Sequence, residues 1–102
     1  MDAAKKRRLR ETGWKTGSVA DFLELTREES WLIEIKLRLS ELVKKARTRG
    51  RLSQMALADR LGSSQSRVAK IESGDPSVSL DLLVRASFAS GATRKELARA
   101  IA

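Results

Sequence analysis

Apolar positions along this chain recur at helical spacing. Leu32, Ile35, Leu39, Leu42 and Ala46 follow one another at alternating steps of three and four, which aligns them as one stripe on an α-helix. Thr26 stands three residues before Glu29, the spacing of a capping box. Basic residues crowd the far end, and Gly50 offers a left-handed stop. The pattern predicts one long helix over residues 27–49. Trp31, Ile33 and Leu37 lie off the stripe, so the first half of that helix is apolar around most of its circumference. A helix apolar on two sides needs two surfaces to pack against.

The rest of the pattern is short helices between small polar caps and glycine stops. Ser53 caps 54–61, stopped by Gly62; Ser63 or Ser64 opens a helix running to about Ser73, stopped near Gly74. A turn at "DPSVS" holds the single proline, Pro76. Ser79 caps 80–90 with Gly91 as the stop, and Thr93 with Glu96 makes a capping box for 94–101. Upstream, Ser18 can cap a short extra helix with Val19, Phe22 and Leu23 on one face. Residues 1–17 carry Lys5, Lys6, Arg7, Arg8 and Arg10, then two glycines, and read as a basic flexible tail or one that orders on DNA or a protein. No strand alternation appears. The expected class is all-α, with one domain over 18–102 after the tail.

Two short helices meeting at a glycine read as a helix-turn-helix over residues 53–74. Leu57 and Leu61 face inward, Ala58 is small where the second helix crosses, and Gly62 takes the turn. Projected at about 100° per residue with Val68 and Ile71 inward, the second helix turns Ser66, Ala69, Lys70 and Ser73 outward and Gln65 and Arg67 to its flanks. In a major groove the first residues of such a helix meet base edges. A glutamine can bond adenine bidentately, a lysine guanine, and a serine either base. The helix N-terminus at Ser64 and the charge of Arg67 suit phosphate.

Charge sharpens this picture. The 102 residues carry 21 Lys and Arg against 13 Asp and Glu, a net +8 that favours a polyanionic partner. Histidine, cysteine and tyrosine are absent, which removes the commonest general base and the usual metal ligands, so no enzyme, cofactor or metal site is expected. No run is apolar enough to span a bilayer, and the basic N-terminus lacks the apolar stretch of a signal peptide; a cytoplasmic protein without a membrane partner is expected. RNA is a weaker partner than duplex DNA, since no stacking sheet is predicted and only four aromatics are present.

The stretch "LSQMALADRLGSSQSRVAKIESG", residues 52–74, resembles the Xre family of helix-turn-helix regulators, which includes the lambdoid phage repressors. Gln54, Ala58, Gly62, Val68, Ile71, Glu72 and Gly74 all fall in register. The resemblance implies a five-helix lambda-repressor-like domain over about residues 30–102. It implies base reading at Gln65, Ser66 and Lys70, and a Gln54 that touches phosphate and supports Gln65, eleven positions on. The partners it implies are a palindromic DNA operator and a second copy of the chain. "GWKTGSVADFLELTREESWLIEIKLRLSELVKKAR" ahead of the motif is similar to the HigA-type antitoxins, which repress their own operon as dimers and bind a RelE-like ribonuclease toxin. Stand-alone Xre repressors share that order of elements. Trip points between the readings are Trp31, Ile33 and Leu37, which either pack under Phe22 and Leu23 or form a surface shared with a second subunit or a toxin.

Overall fold

A computed structural model describes residues 26–102. The basic tail and the short helix expected after Ser18 lie outside the described residues. Five helices follow in order: α1 Arg27–Arg49, α2 Gln54–Leu61, α3 Gln65–Ser73, α4 Leu80–Ala89 and α5 Arg94–Ile101. Residues 33–102 form one compact unit, and no strand occurs among the described residues.

The capping residues act where the sequence puts them. Thr26 Oγ1 accepts from the Glu29 N–H at 3.1 Å. Ser53, Ser64 and Ser79 each accept a backbone N–H from the third residue on, opening α2, α3 and α4. The Thr93–Glu96 box of α5 is complete in both directions. Each such cap satisfies a donor that the helix itself cannot, and is worth about 1 kcal/mol.

The end of α1 departs from expectation. Gly50 has no left-handed backbone; Arg51 does, at φ 57°. The Leu52 N–H reaches Arg47 O at 3.0 Å and the Arg51 N–H reaches Thr48 O at 3.1 Å. This paired closure puts its left-handed residue one position beyond the glycine. Helices α2, α3 and α4 close the same way with glycine in that place: Gly62 (φ 63°), Gly74 (φ 77°) and Gly91 (φ 102°).

The core draws on the first four helices: Leu39, Leu42, Val43 and Ala46 from α1, Leu57 and Ala58 from α2, Val68 and Ile71 from α3, Leu83 and Ala86 from α4, with Val78 and Ala92 from the connections. Ile35, Leu61 and Leu97 pack at its edge. The apolar stripe of α1 therefore enters the core at Ile35, and Leu32 remains nearly half exposed. Ser87 and Ser90 are buried among these side chains, but their hydroxyls donate to Leu83 O and Ala86 O, so neither is left unsatisfied. α2 packs on both α3 and α4, and α4 on α5, which fixes α3 at the edge of the unit with one face in and one face out.

Candidate nucleic-acid interface

The two halves of α3 follow from its sequence. Val68 and Ile71, three residues apart, are completely buried and peg the helix to the core. Gln65, Ser66, Arg67, Ala69, Lys70 and Ser73 are all exposed, as is the capping Ser64. Gly62 makes the turn between α2 and α3 possible: its N–H bonds Asp59 O, the next N–H bonds Ala58 O, and an alanine there would carry its Cβ into the left-handed region.

The outward face of α3 is electropositive, and no other described part of the chain occupies it. Among the described residues the ion pairs are Arg38–Glu34, Arg47–Glu72 and Arg49–Glu96, so neither Arg67 nor Lys70 is held in one, although the Asp75 carboxyl lies near enough to feel Lys70. No acid lies in the first turn of α3. Its free N–H groups and helix dipole therefore add to the positive potential there.

Ser64, Ser66, Arg67 and Lys70 come together around a polar hollow of about 290 Å³ that Ser77 and Val78 close from the other side. Gln65 and Gln54 stand outside it. Ser77 was not singled out from the sequence. Its N–H and hydroxyl both donate to Asp75 Oδ1, at 2.8 and 2.7 Å, which folds the chain back toward α3 after Gly74. The hydroxyl first, then the N–H, hold the Asp75 carboxyl below its ordinary value. The Asp-Pro-Ser spelling of this turn was its visible signal.

Gln54 is placed differently from the family expectation. Its Nε2 donates to Glu72 Oε1 at 3.2 Å, and among the described residues no hydrogen bond joins it to Gln65. The carboxylate is the stronger acceptor, and it is fixed in place by Arg47. Arg47 grips Glu72 with Nε on one oxygen and NH2 on the other, the latter at 3.0 Å, while its NH1 donates to Leu52 O at 2.7 Å. The Arg47 side chain is 13% exposed and that of Glu72 is 5% exposed. This cluster ties the end of α1, the loop after it, the start of α2 and the end of α3. Sequence reading placed Glu72 in the motif without giving it a task.

Of the interface residues expected on α1, Ile33 and Leu37 do not line the α3 hollow. Trp31 is 56% exposed, with the Arg27 guanidinium 5.9 Å from its ring centre. Ile33 and Leu37 are each 47% exposed. They border an apolar hollow of about 290 Å³ whose other walls are Lys36, Ser40, Leu83 and the Gly74–Pro76 turn. Leu37 reaches that turn: its Cδ2 would stand 2.9 Å from a Cβ placed on Gly74. Among the described residues no helix is long and apolar enough to cross a membrane, and no cluster of acids suits a metal ion.

The chain matches no curated relative and no solved structure. A family model described as a helix-turn-helix domain matches residues 38–101, from the middle of α1 to the last residue of α5, well over half of the chain and including all of the α2–turn–α3 unit. The chain belongs to the helix-turn-helix domain family.

Proposed function

We propose that this protein is a sequence-specific transcriptional repressor of the Xre kind that binds duplex DNA as a dimer and has no catalytic activity. The observation that carries the reading is the exposed face of α3, held by the buried Val68 and Ile71. Gln65, Ser66 and Lys70 are the base readers, because an exposed first turn and the outward row behind it are what a major groove meets. Ser64, Arg67 and the α3 N-terminus hold phosphate. Gln54 gives one Nε2 hydrogen to Glu72 and keeps the other N–H to donate to a phosphate oxygen.

Footprinting on the promoter of its own gene tests the reading. Two protected half-sites about 34 Å apart, one helical turn, are expected. Equal affinity for that promoter and for random duplex at matched salt would overturn sequence-specific recognition.

The apolar hollow beside Ile33 and Leu37 favours a second element of the reading: the repressor is also an antitoxin, with a RelE-like toxin engaging that side of α1. A polar surface would serve a stand-alone repressor equally well, and exposed Ile and Leu rimming an apolar hollow suit a protein ligand. Co-purification with the product of a neighbouring small gene, lost on Ile33→Ser, supports it; a promoter with no such neighbour supports the stand-alone form.

A further inference from the structure

Helix α4 carries an apolar row that the described fold leaves uncovered. Leu80, Val84 and Phe88 succeed one another at four-residue steps, which confines them to a band about 80° wide on the helix. Leu80 is 40% exposed, Phe88 is 43% exposed, and Val84 is half-buried. The side of α4 that faces the core, with Leu83, Ala86 and Ser87, is centred about 110° round the helix from the row, so the row flanks the core face. Along the solvent edge of the row stand Asp81 and Arg85, both exposed. An acid four residues ahead of a base on a helix is the spacing at which the two usually meet. Among the described residues neither side chain has an ion-pair or hydrogen-bond partner.

We propose that this face of α4 joins two copies of the chain, with the two α4 helices antiparallel about a two-fold axis. The proposal rests on the dimeric reading above and names the surface that reading needs. Its argument is self-complementarity. In antiparallel helices related by a two-fold axis, each flank meets the same flank of the other helix, and a residue before the axis meets one equally far beyond it. With the axis level with Val84, Leu80 meets Phe88 of the partner subunit. With it level with Leu83, Asp81 meets Arg85 of the partner subunit, and Arg85 meets the partner's Asp81. The two levels differ by one residue, about 1.5 Å along each helix and so about 3 Å between the two helices, an offset that the long Arg85 side chain spans. One face therefore offers an apolar seam and two reciprocal ion pairs to its own copy. The occupant also follows from charge. The chain as a whole is strongly basic, yet α4 holds one acid and one base and is locally neutral. Two copies can approach there without the repulsion that faces carrying Arg67 and Lys70 would meet.

Sedimentation equilibrium of the full chain without DNA, on four proteins, tests the interface. Asp81→Arg alone and Arg85→Asp alone each turn both reciprocal pairs into like-charge contacts, and each is expected to weaken dimerisation about tenfold, the scale of two exposed pairs reversed. The double variant Asp81→Arg/Arg85→Asp restores opposite charges at both contacts and is expected to recover the wild-type dimer constant within about threefold. Mixing the two single variants is expected to yield heterodimer in preference to either homodimer. Single variants that dimerise like the wild type, a double variant no better than the singles, or a wild-type chain that stays monomeric would each overturn the proposal. Loss of a helix-end charge effect alone would weaken Asp81→Arg and leave the double variant unrecovered. A gel shift on the same four proteins separates this from the DNA reading. Promoter binding with an unchanged dimer constant in all variants defeats the interface and leaves the repressor. The expected dimer pattern with no preference for the promoter defeats the repressor and leaves the interface.

Discussion

At the scale of single residues, the conformations of Gly74 and Arg51 make opposite demands. Gly74 has φ 77°, and its missing Cβ makes room for Leu37. Gly74→Ala is expected to lower stability by about 1–2 kcal/mol, the cost of a left-handed residue with a side chain. Arg51 already bears that cost at φ 57°, so Arg51→Gly is expected to raise stability by up to about 1 kcal/mol. Urea denaturation of the two variants checks the pair; a destabilised Arg51→Gly would mean that the arginine side chain holds more than its backbone loses. Function divides at the same scale. Gln65→Ala or Lys70→Ala is expected to cost about 1–3 kcal/mol of binding and to relax preference at one base position. Arg67→Ala is expected to weaken binding to all sequences alike and to flatten the salt dependence by about one unit. Titrations of variant operators across a salt series read both effects. The roles assigned here are reversed if Arg67→Ala alters base preference and Gln65→Ala does not.

At the scale of elements, α3 is held to the rest of the unit by two different means. Val68 and Ile71 contribute burial, about 1.5–3 kcal/mol each. Glu72 contributes direction, because the fork of Arg47 and the amide of Gln54 fix the C-terminal end of α3 relative to α1 and α2. Removing one partner of a nearly buried pair strands the other, so Glu72→Ala is expected to cost about 3 kcal/mol. Arg47→Lys is expected to recover little of the Arg47→Ala loss, since an ammonium cannot engage both carboxylate oxygens and Leu52 O in one plane. Thermal melts with operator titrations at a temperature where each variant is folded separate loss of stability from loss of α3 placement. A Glu72→Ala protein with unaltered melting would show that burial alone positions α3.

At the scale of the molecule, Glu96 joins the two ends of the compact unit. It closes the capping box of α5 and also takes the Arg49 guanidinium at the end of α1, at 2.7 and 3.1 Å. The Arg49 hydrogen bond first, then the Thr93 N–H, hold its carboxyl down at about 2, from an ordinary 4.5. A depressed folded-state value means that the contribution of Glu96 is present above the ordinary carboxylate range and fades as pH falls from about 4.5 through about 2. The stability gap between wild type and Glu96→Gln is therefore expected to narrow over that window and to be constant above it. Denaturant midpoints for both proteins from pH 7 to pH 2 measure this; a gap independent of pH would show that Glu96 acts through shape alone.

The sequence by itself determined what short-range chemistry can determine. Ser53, Ser64, Ser79 and Thr93 cap the helices they precede, and Gly62 and Gly74 end theirs, because a cap or stop acts on backbone groups within a few residues. The inward and outward rows of α3 were legible for the same reason: once Val68 and Ile71 are inside, helical pitch places every other side chain. Only the tertiary structure decided which residues meet across long separations. The Arg47–Glu72 contact spans 25 positions, and the Gln54–Glu72 contact spans 18. No periodicity encodes either, so Gln54 pairs with a carboxylate where the motif suggested a second glutamine. Ser77 faces the α3 hollow, Leu37 fills the space at Gly74, and Leu32 stays out of the core, because these outcomes depend on how helices stack and not on where each begins.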